Sequence, residues 1–111
     1  MTIRNNQDYL QDILDAIQEA TKFIGDKTYP QFLQDRKTCY AIIHCLEIIG
    51  EASKKVSPSF KTKYPHVPWK QMGDMRNFLI HGYFSVDPET IWETVKNDLP
   101  DLKEKLKAIP L

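Results

Sequence analysis

Between Leu10 and Ile24 the apolar residues keep a helical rhythm. Leu10, Ile13, Leu14, Ile17, Ala20 and Ile24 stand three or four apart, while Asp8, Asp12, Asp15 and Glu19 take the other side. That period gathers apolar groups on one face of a helix and cannot alternate across the two faces of a strand. It predicts an amphipathic helix over about residues 6–24, closed near Gly25. The rhythm returns near the other end, where Ile91, Val95, Leu99, Leu102, Leu106 and Ile109 form a stripe opened by Asp87 as cap and Pro88 in the first turn. Pro100 interrupts this stripe and should kink the helix or split it in two.

Two further helices lie between. Thr28 and Gln31 have the spacing of a reciprocal cap, and Pro30 is tolerated in a first turn, so a helix is expected from Thr28 to about Val56. Its length of about 28 residues would span on the order of 40 Å and make it the spine of the domain. Gly50 within it can bend the helix or admit a close neighbour. The stretch "SPSFKTKYPHV" holds two prolines and no period, and reads as a loop with room for one short helical turn. Pro68 opens a third helix. No segment alternates as a strand does, and short connections between helices give an all-α, up-and-down bundle.

The chain of 111 residues is long enough to bury a core without disulfides or a structural metal, and residues 1–111 are read as one domain. No apolar run reaches the roughly 18 residues of a membrane span, and "MTIRNNQDYL" lacks the apolar centre of a signal peptide. The expected location is the cytoplasm, with no membrane partner. Cys39 and Cys45, six apart on one helix, cannot bridge and match no zinc spacing, so both are read as small buried hydrophobes. Formal net charge is zero, so the molecule as a whole does not advertise a polyanion partner. Residues 51–86 are less neutral: Lys54, Lys55, Lys61, Lys63, Lys70 and Arg76 face only Glu51 and Asp74.

That basic region surrounds "MRNFLIHGYF", residues 75–84. On a helical wheel Met72, Met75, Phe78 and Leu79 share a core face, while Arg76 and Tyr83 fall together on the opposite side, flanked by Asn77 and His81. Ile80 lies among these polar groups, either as a lone surface hydrophobe or as a residue covered by another subunit. Gly82 suits the end of the helix, leaving His81 in its last turn. An arginine that grips phosphate oxygens with a two-pronged fork, beside an imidazole that moves protons, suits the handling of a phosphodiester. The plainer alternative is a capping histidine beside an arginine in a surface ion pair.

The segment resembles the R-x4-H-x-Y signature of HEPN domains of the HepT-like, DUF86 type, with Arg76, His81 and Tyr83 in the signature positions. The resemblance extends over "YLQDILDAI", "IIGEASKK", "YPHVPWKQMGDMRNFLIHGYF" and "IWETVKNDLPDL", in that order. It implies a four- to five-helix domain that dimerises with its two motifs facing each other across a cleft. It also implies the toxin half of a toxin–antitoxin pair: a metal-independent ribonuclease, without cofactor, encoded beside a small nucleotidyltransferase antitoxin of the MNT type. That antitoxin can transfer AMP to the motif tyrosine, here Tyr83. Arg76 and His81 are then the catalytic pair and tRNA or mRNA the substrate, with Asn77 in support and Glu51 as the candidate to hold Arg76. The alternative role for Glu51 is a surface carboxylate beside Lys54 and Lys55. A second reading of the whole chain is a non-catalytic dimeric module that binds a nucleotide or docks on a nucleotidyltransferase. A haem or metal protein using His44 and His81 has little support, since His44 within "AIIHCLEIIG" reads as a packed or interfacial residue.

Overall fold

Asn5 opens the first helix. Its side chain accepts the Asp8 N–H at 3.0 Å while the Asp8 carboxylate accepts the Asn5 N–H at 3.0 Å, which satisfies two of the donors a helix start leaves open. The computed structural model describes residues 3–79 and 87–110, with the backbone alone at 76–79. Helix α1 spans Asn6–Ile24 and stops at Gly25, whose φ of 54° favours glycine and whose N–H reaches the Thr21 carbonyl at 3.0 Å. Leu10, Ile13, Ile17, Ala20 and Ile24 are buried as expected; Leu14 is only half-buried, and Ala16 joins the core face.

The expected single spine is two helices. Thr28 and Gln31 form the predicted reciprocal cap, but the helix they open, α2, covers only Tyr29–Gln34. Asp35 then leaves helical geometry at φ −110° and ψ 81°. Its carboxylate takes the Thr38 N–H at 3.0 Å and the Thr38 hydroxyl at 2.6 Å, and so caps a new helix, α3, over Arg36–Lys55. The break has a use in packing. It turns Tyr29 and Phe32 toward Trp92, with ring centroids 5.5 Å apart in both pairs. Cys45 is buried on α3, whereas Cys39 is only half-buried against the core, and both thiols are free.

Short helix α4, Pro58–Lys63, occupies the stretch read as a loop with one turn. Asn6 and Ser57 exchange two hydrogen bonds of 3.0 Å, which tie the start of α1 to the end of α3. Helix α5 covers Trp69–Leu79; Pro68 stands just ahead of it and its carbonyl accepts the Met72 N–H at 3.0 Å. Met72 is buried and Met75 packs against the core, as the wheel predicts; Trp69 in the first turn is buried as well, and the Phe78 and Leu79 side chains lie outside the described residues.

Asp87 caps helix α6, Pro88–Glu93, by accepting the Glu89 N–H and the Thr90 hydroxyl at 3.1 and 2.9 Å. A wide π turn at Thr94–Asp98 follows, then α7 at Leu99–Lys107. The expected interruption at Pro100 takes this form: proline has no N–H for the preceding turn and its ring crowds the carbonyl four residues back, so the helix widens just before it. All six apolar residues of the predicted stripe, from Ile91 to Ile109, are nonetheless buried. Helix α3 packs against both α1 and α5, and the α6–α7 arm packs on α1 and α3. The result is an all-α bundle, with no strand among the described residues.

Candidate active site

The residues expected to do the chemistry sit at the end of α5 and just beyond it. Residues 76–79 continue the helix, and the side chains of Arg76 and Asn77, like Ile80, His81, Gly82 and Tyr83, lie outside the described residues. What the structure defines is the ground around them. At the buried Gly73, an added Cβ would stand 3.5 Å from Lys54 Cγ and 3.8 Å from Ser53 Oγ, so glycine brings α5 close to the last turns of α3. Ser53 is fully buried there and bonds back to the Gly50 carbonyl at 2.8 Å.

Glu51 lies on α3 within one turn of that contact and is half-buried. It lines an elongated hollow of about 450 Å³ between α1 and α3, together with Arg4, Tyr9, His44, Ile48 and Lys55. A continuation of about 500 Å³ runs on past His44 and Ile48 to Asp15, Glu19 and Phe23. His44 is exposed in this groove and not packed in the core, because it falls on the side of α3 away from Ile42 and Leu46. The groove was not among the sequence expectations. Its signal was present all the same: positions 44, 48, 51 and 55 recur at steps of three and four, a second helical stripe that the stronger core stripe hides.

The described lysines of the basic segment are available to solvent. Lys54, Lys55, Lys63 and Lys70 are exposed and Lys61 is half-buried, with Lys63 5.6 Å from the Tyr64 ring centroid. Another hollow on α5 has the opposite character: about 290 Å³ between α5 and α7, with Asp98 and Asp101 beside Met72 and Met75. Those two aspartates disfavour a phosphate in that hollow. Among the described residues no three histidine, cysteine or acidic side chains converge in a way that could hold a metal ion. The two thiols are poor nucleophiles: burial pushes both above the ordinary thiol range, with Glu19 adding to the effect at Cys45 and Arg36 opposing it at Cys39. No helix among the described residues is long and apolar enough to cross a membrane.

Comparison with known proteins reaches most of the chain. The family model described as "Ribonuclease HepT-like" matches residues 13–109. The "Probable ribonuclease HepT" of Thermococcus cleftensis is 46% identical over 96% of each chain. "Putative RNase MJ0125" of Methanocaldococcus jannaschii is 41% identical over 98% of this chain and 94% of its own. A third relative, "Putative RNase TTE0752" of Caldanaerobacter subterraneus, is 37% identical over 91% of this chain and 90% of its own. No solved structure matches. With the family match running through α1, the α3–α5 contact and the C-terminal arm alike, the chain belongs to the HepT-like ribonuclease family.

Proposed function

We propose that this protein is an endoribonuclease that cuts RNA at a composite site built from Arg76 and His81 of two copies. The carrying observation is the continuity of the family match across residues 13–109, which takes in the R-x4-H segment and its setting against α3. The register of the helices supports the pairing with Glu51. Gly73 of α5 rests on Ser53 and Lys54 of α3, and the next turn of α5 carries position 76. Position 76 is thus within about a turn of the α3 segment that holds Glu51, which makes Glu51 the carboxylate of α3 assigned to orient the Arg76 guanidinium.

In this reading the ribose 2′-OH attacks the adjacent phosphorus as the bond to the 5′ oxygen breaks, leaving a 2′,3′-cyclic phosphate and a 5′-OH. His81 takes the 2′-OH proton, and the histidine of the second copy delivers one to the leaving oxygen. Arg76 stabilises the charge that develops on the phosphoryl oxygens, and Asn77 positions the phosphate or the imidazole. No step calls on a metal or a cofactor. The lysines at 54, 55, 61, 63 and 70 supply the local positive field that a chain of zero net charge otherwise lacks.

The biological setting we infer is the toxin half of a toxin–antitoxin pair, acting in the cytoplasm as one domain over residues 1–111. The antitoxin is an MNT-type nucleotidyltransferase that transfers AMP from ATP to the Tyr83 phenol oxygen, with pyrophosphate leaving. The added phosphate pairs with the cation that would otherwise meet RNA, and the bulk of the nucleotide fills the cleft. The decisive experiment incubates the purified protein with RNA in EDTA and sizes the products. Fragments ending in 2′,3′-cyclic phosphate are expected. Cleavage that appears only on adding a divalent metal would overturn the metal-independent mechanism.

A further inference from the structure

We infer that Lys54 binds the RNA strand directly, by holding a phosphate next to the one that is cut. The inference rests on the ribonuclease reading above and deepens it, since the site then takes RNA that offers at least two consecutive phosphates. Its basis is a contact that one glycine makes available. A Cβ at the buried Gly73 would stand 3.5 Å from Lys54 Cγ and 3.7 Å from Lys54 Cε, so the stem of the lysine lies along α5 from end to end. Long cationic side chains rest their methylenes on a surface in this way and keep the charge in water. Here the surface is bare helix, and the charge is carried to α5.

That placement decides what the ammonium can meet. Position 76 follows Gly73 by three residues, about 4.5 Å along the helix axis and roughly 60° round it, whichever way α5 crosses α3. A strand whose scissile phosphate is gripped by Arg76 therefore passes its next phosphate close to Lys54. The ammonium is also unclaimed. Lys54 is exposed and makes no hydrogen bond or ion pair among the described residues. Asp74, beside Gly73 in sequence, lines a hollow with Gln71, Thr94 and Asp98 and so turns toward the C-terminal arm. Glu51, one turn back on α3, is the carboxylate assigned to Arg76. From Ala52 to Gly73 the chain holds no acidic residue at all, so nothing local neutralises the lysine. Lys54 also stands in the last turn of α3, where a helix favours a cation without any RNA, and the test has to separate that plain stabilising role from binding.

The test measures steady-state cleavage of a single-stranded oligoribonucleotide by the full chain, in EDTA, over a series of salt concentrations. Lys54→Met keeps a stem against Gly73 and removes only the charge. Its KM should rise about fivefold with kcat within about twofold of wild type, because the contact is made equally before and during the reaction. The slope of log(kcat/KM) against log salt should become shallower by about 0.7, the signature of one lost phosphate contact on a single strand. Lys54→Arg should restore the slope and bring KM to within about twofold of wild type, since the role needs a charge and not a shape. Lys22→Gln, a matched charge loss at the end of α1 away from the Asn6–Ser57 tie, should leave both quantities unchanged. Circular dichroism checks each fold, and Lys54→Gln takes the place of the methionine variant if that one does not fold. A charge-removed variant with wild-type KM and salt slope, or one that Lys22→Gln matches, overturns the contact and leaves the ribonuclease reading standing. A loss confined to kcat overturns it as well, because the lysine then acts on the scissile phosphate. Wild type that leaves the RNA intact overturns the reading and the contact together.

Discussion

Gly73 is where fold and site meet, and substitutions there separate the two. The residue is buried inside α5, and the space beside it ends at Lys54 Cγ, 3.5 Å from where a Cβ would stand. That distance is ordinary van der Waals contact, so Gly73→Ala needs no movement of α3. Alanine gains roughly 0.8–1 kcal/mol of helix propensity over glycine, so the variant should be more stable than wild type by about 0.5–1 kcal/mol. Gly73→Leu adds three further carbons, which press on the Lys54 stem and the buried Ser53 hydroxyl beyond that contact. It should force α5 away from α3 at a cost of about 1–3 kcal/mol. The displacement also moves position 76 relative to Glu51, so RNA cleavage should fall by more than the loss of folded protein explains. Urea denaturation read by circular dichroism measures the stabilities from midpoints at constant slope, and initial cleavage rates on the fully folded variants measure the rest. If Gly73→Ala is destabilising by more than about 1 kcal/mol, α5 sits closer to α3 than the contact allows and the argument fails. If Gly73→Leu folds and cleaves normally, the α3–α5 register does not set the site.

Three other outcomes are expected. His81→Ala should abolish cleavage with the helical circular dichroism unchanged, and Arg76→Ala should slow it by about a hundredfold or more; near-normal rates in either move the site elsewhere. Tyr83→Phe should keep the fold and most of the cleavage yet escape modification by a nucleotidyltransferase partner with ATP and magnesium. Mass spectrometry finding an AMP adduct on that variant would refute the assignment. Asp35 ties its pH response to the break between α2 and α3. Its hydrogen bonds from Thr38, with Lys27 and Lys37 adding attraction, hold its carboxyl below the usual carboxylate range against a smaller opposing effect of desolvation. Because the folded pKa is the lower one, this stabilisation is present above the unfolded value and fades as the pH falls through the folded one. Asp35→Asn should therefore flatten the acid side of the stability profile, as thermal melts from neutral to acidic pH would show.

The sequence by itself determined the helices whose signals are local. The stripe from Leu10 to Ile24, the cap of Thr28 and Gln31, Asp87 with Pro88, and the interruption at Pro100 all depend on residues within a turn or two of each other, and each is where the pattern put it. The family was legible through four stretches of resemblance in order along the chain, and the match over residues 13–109 bears that out, while the side chains of Arg76, Asn77, His81 and Tyr83 lie outside the described residues.

Tertiary structure decided what depends on partners far along the chain. Asp35 could equally have been one more polar residue in a long helix. The break is favoured because its carboxylate caps α3, while Tyr29 and Phe32, turned aside with α2, reach Trp92 about sixty residues later. Apolar neighbours in sequence left His44 readable as packed or interfacial, and the face of α3 that meets α1 and α5 excludes the packed alternative by leaving it exposed. The groove beside it belongs to neither helix alone. It exists only because α1 and α3 run antiparallel, which brings Arg4 to Lys55 and Glu19 to Cys45 along one surface, a coincidence of distant residues that local periodicity does not encode.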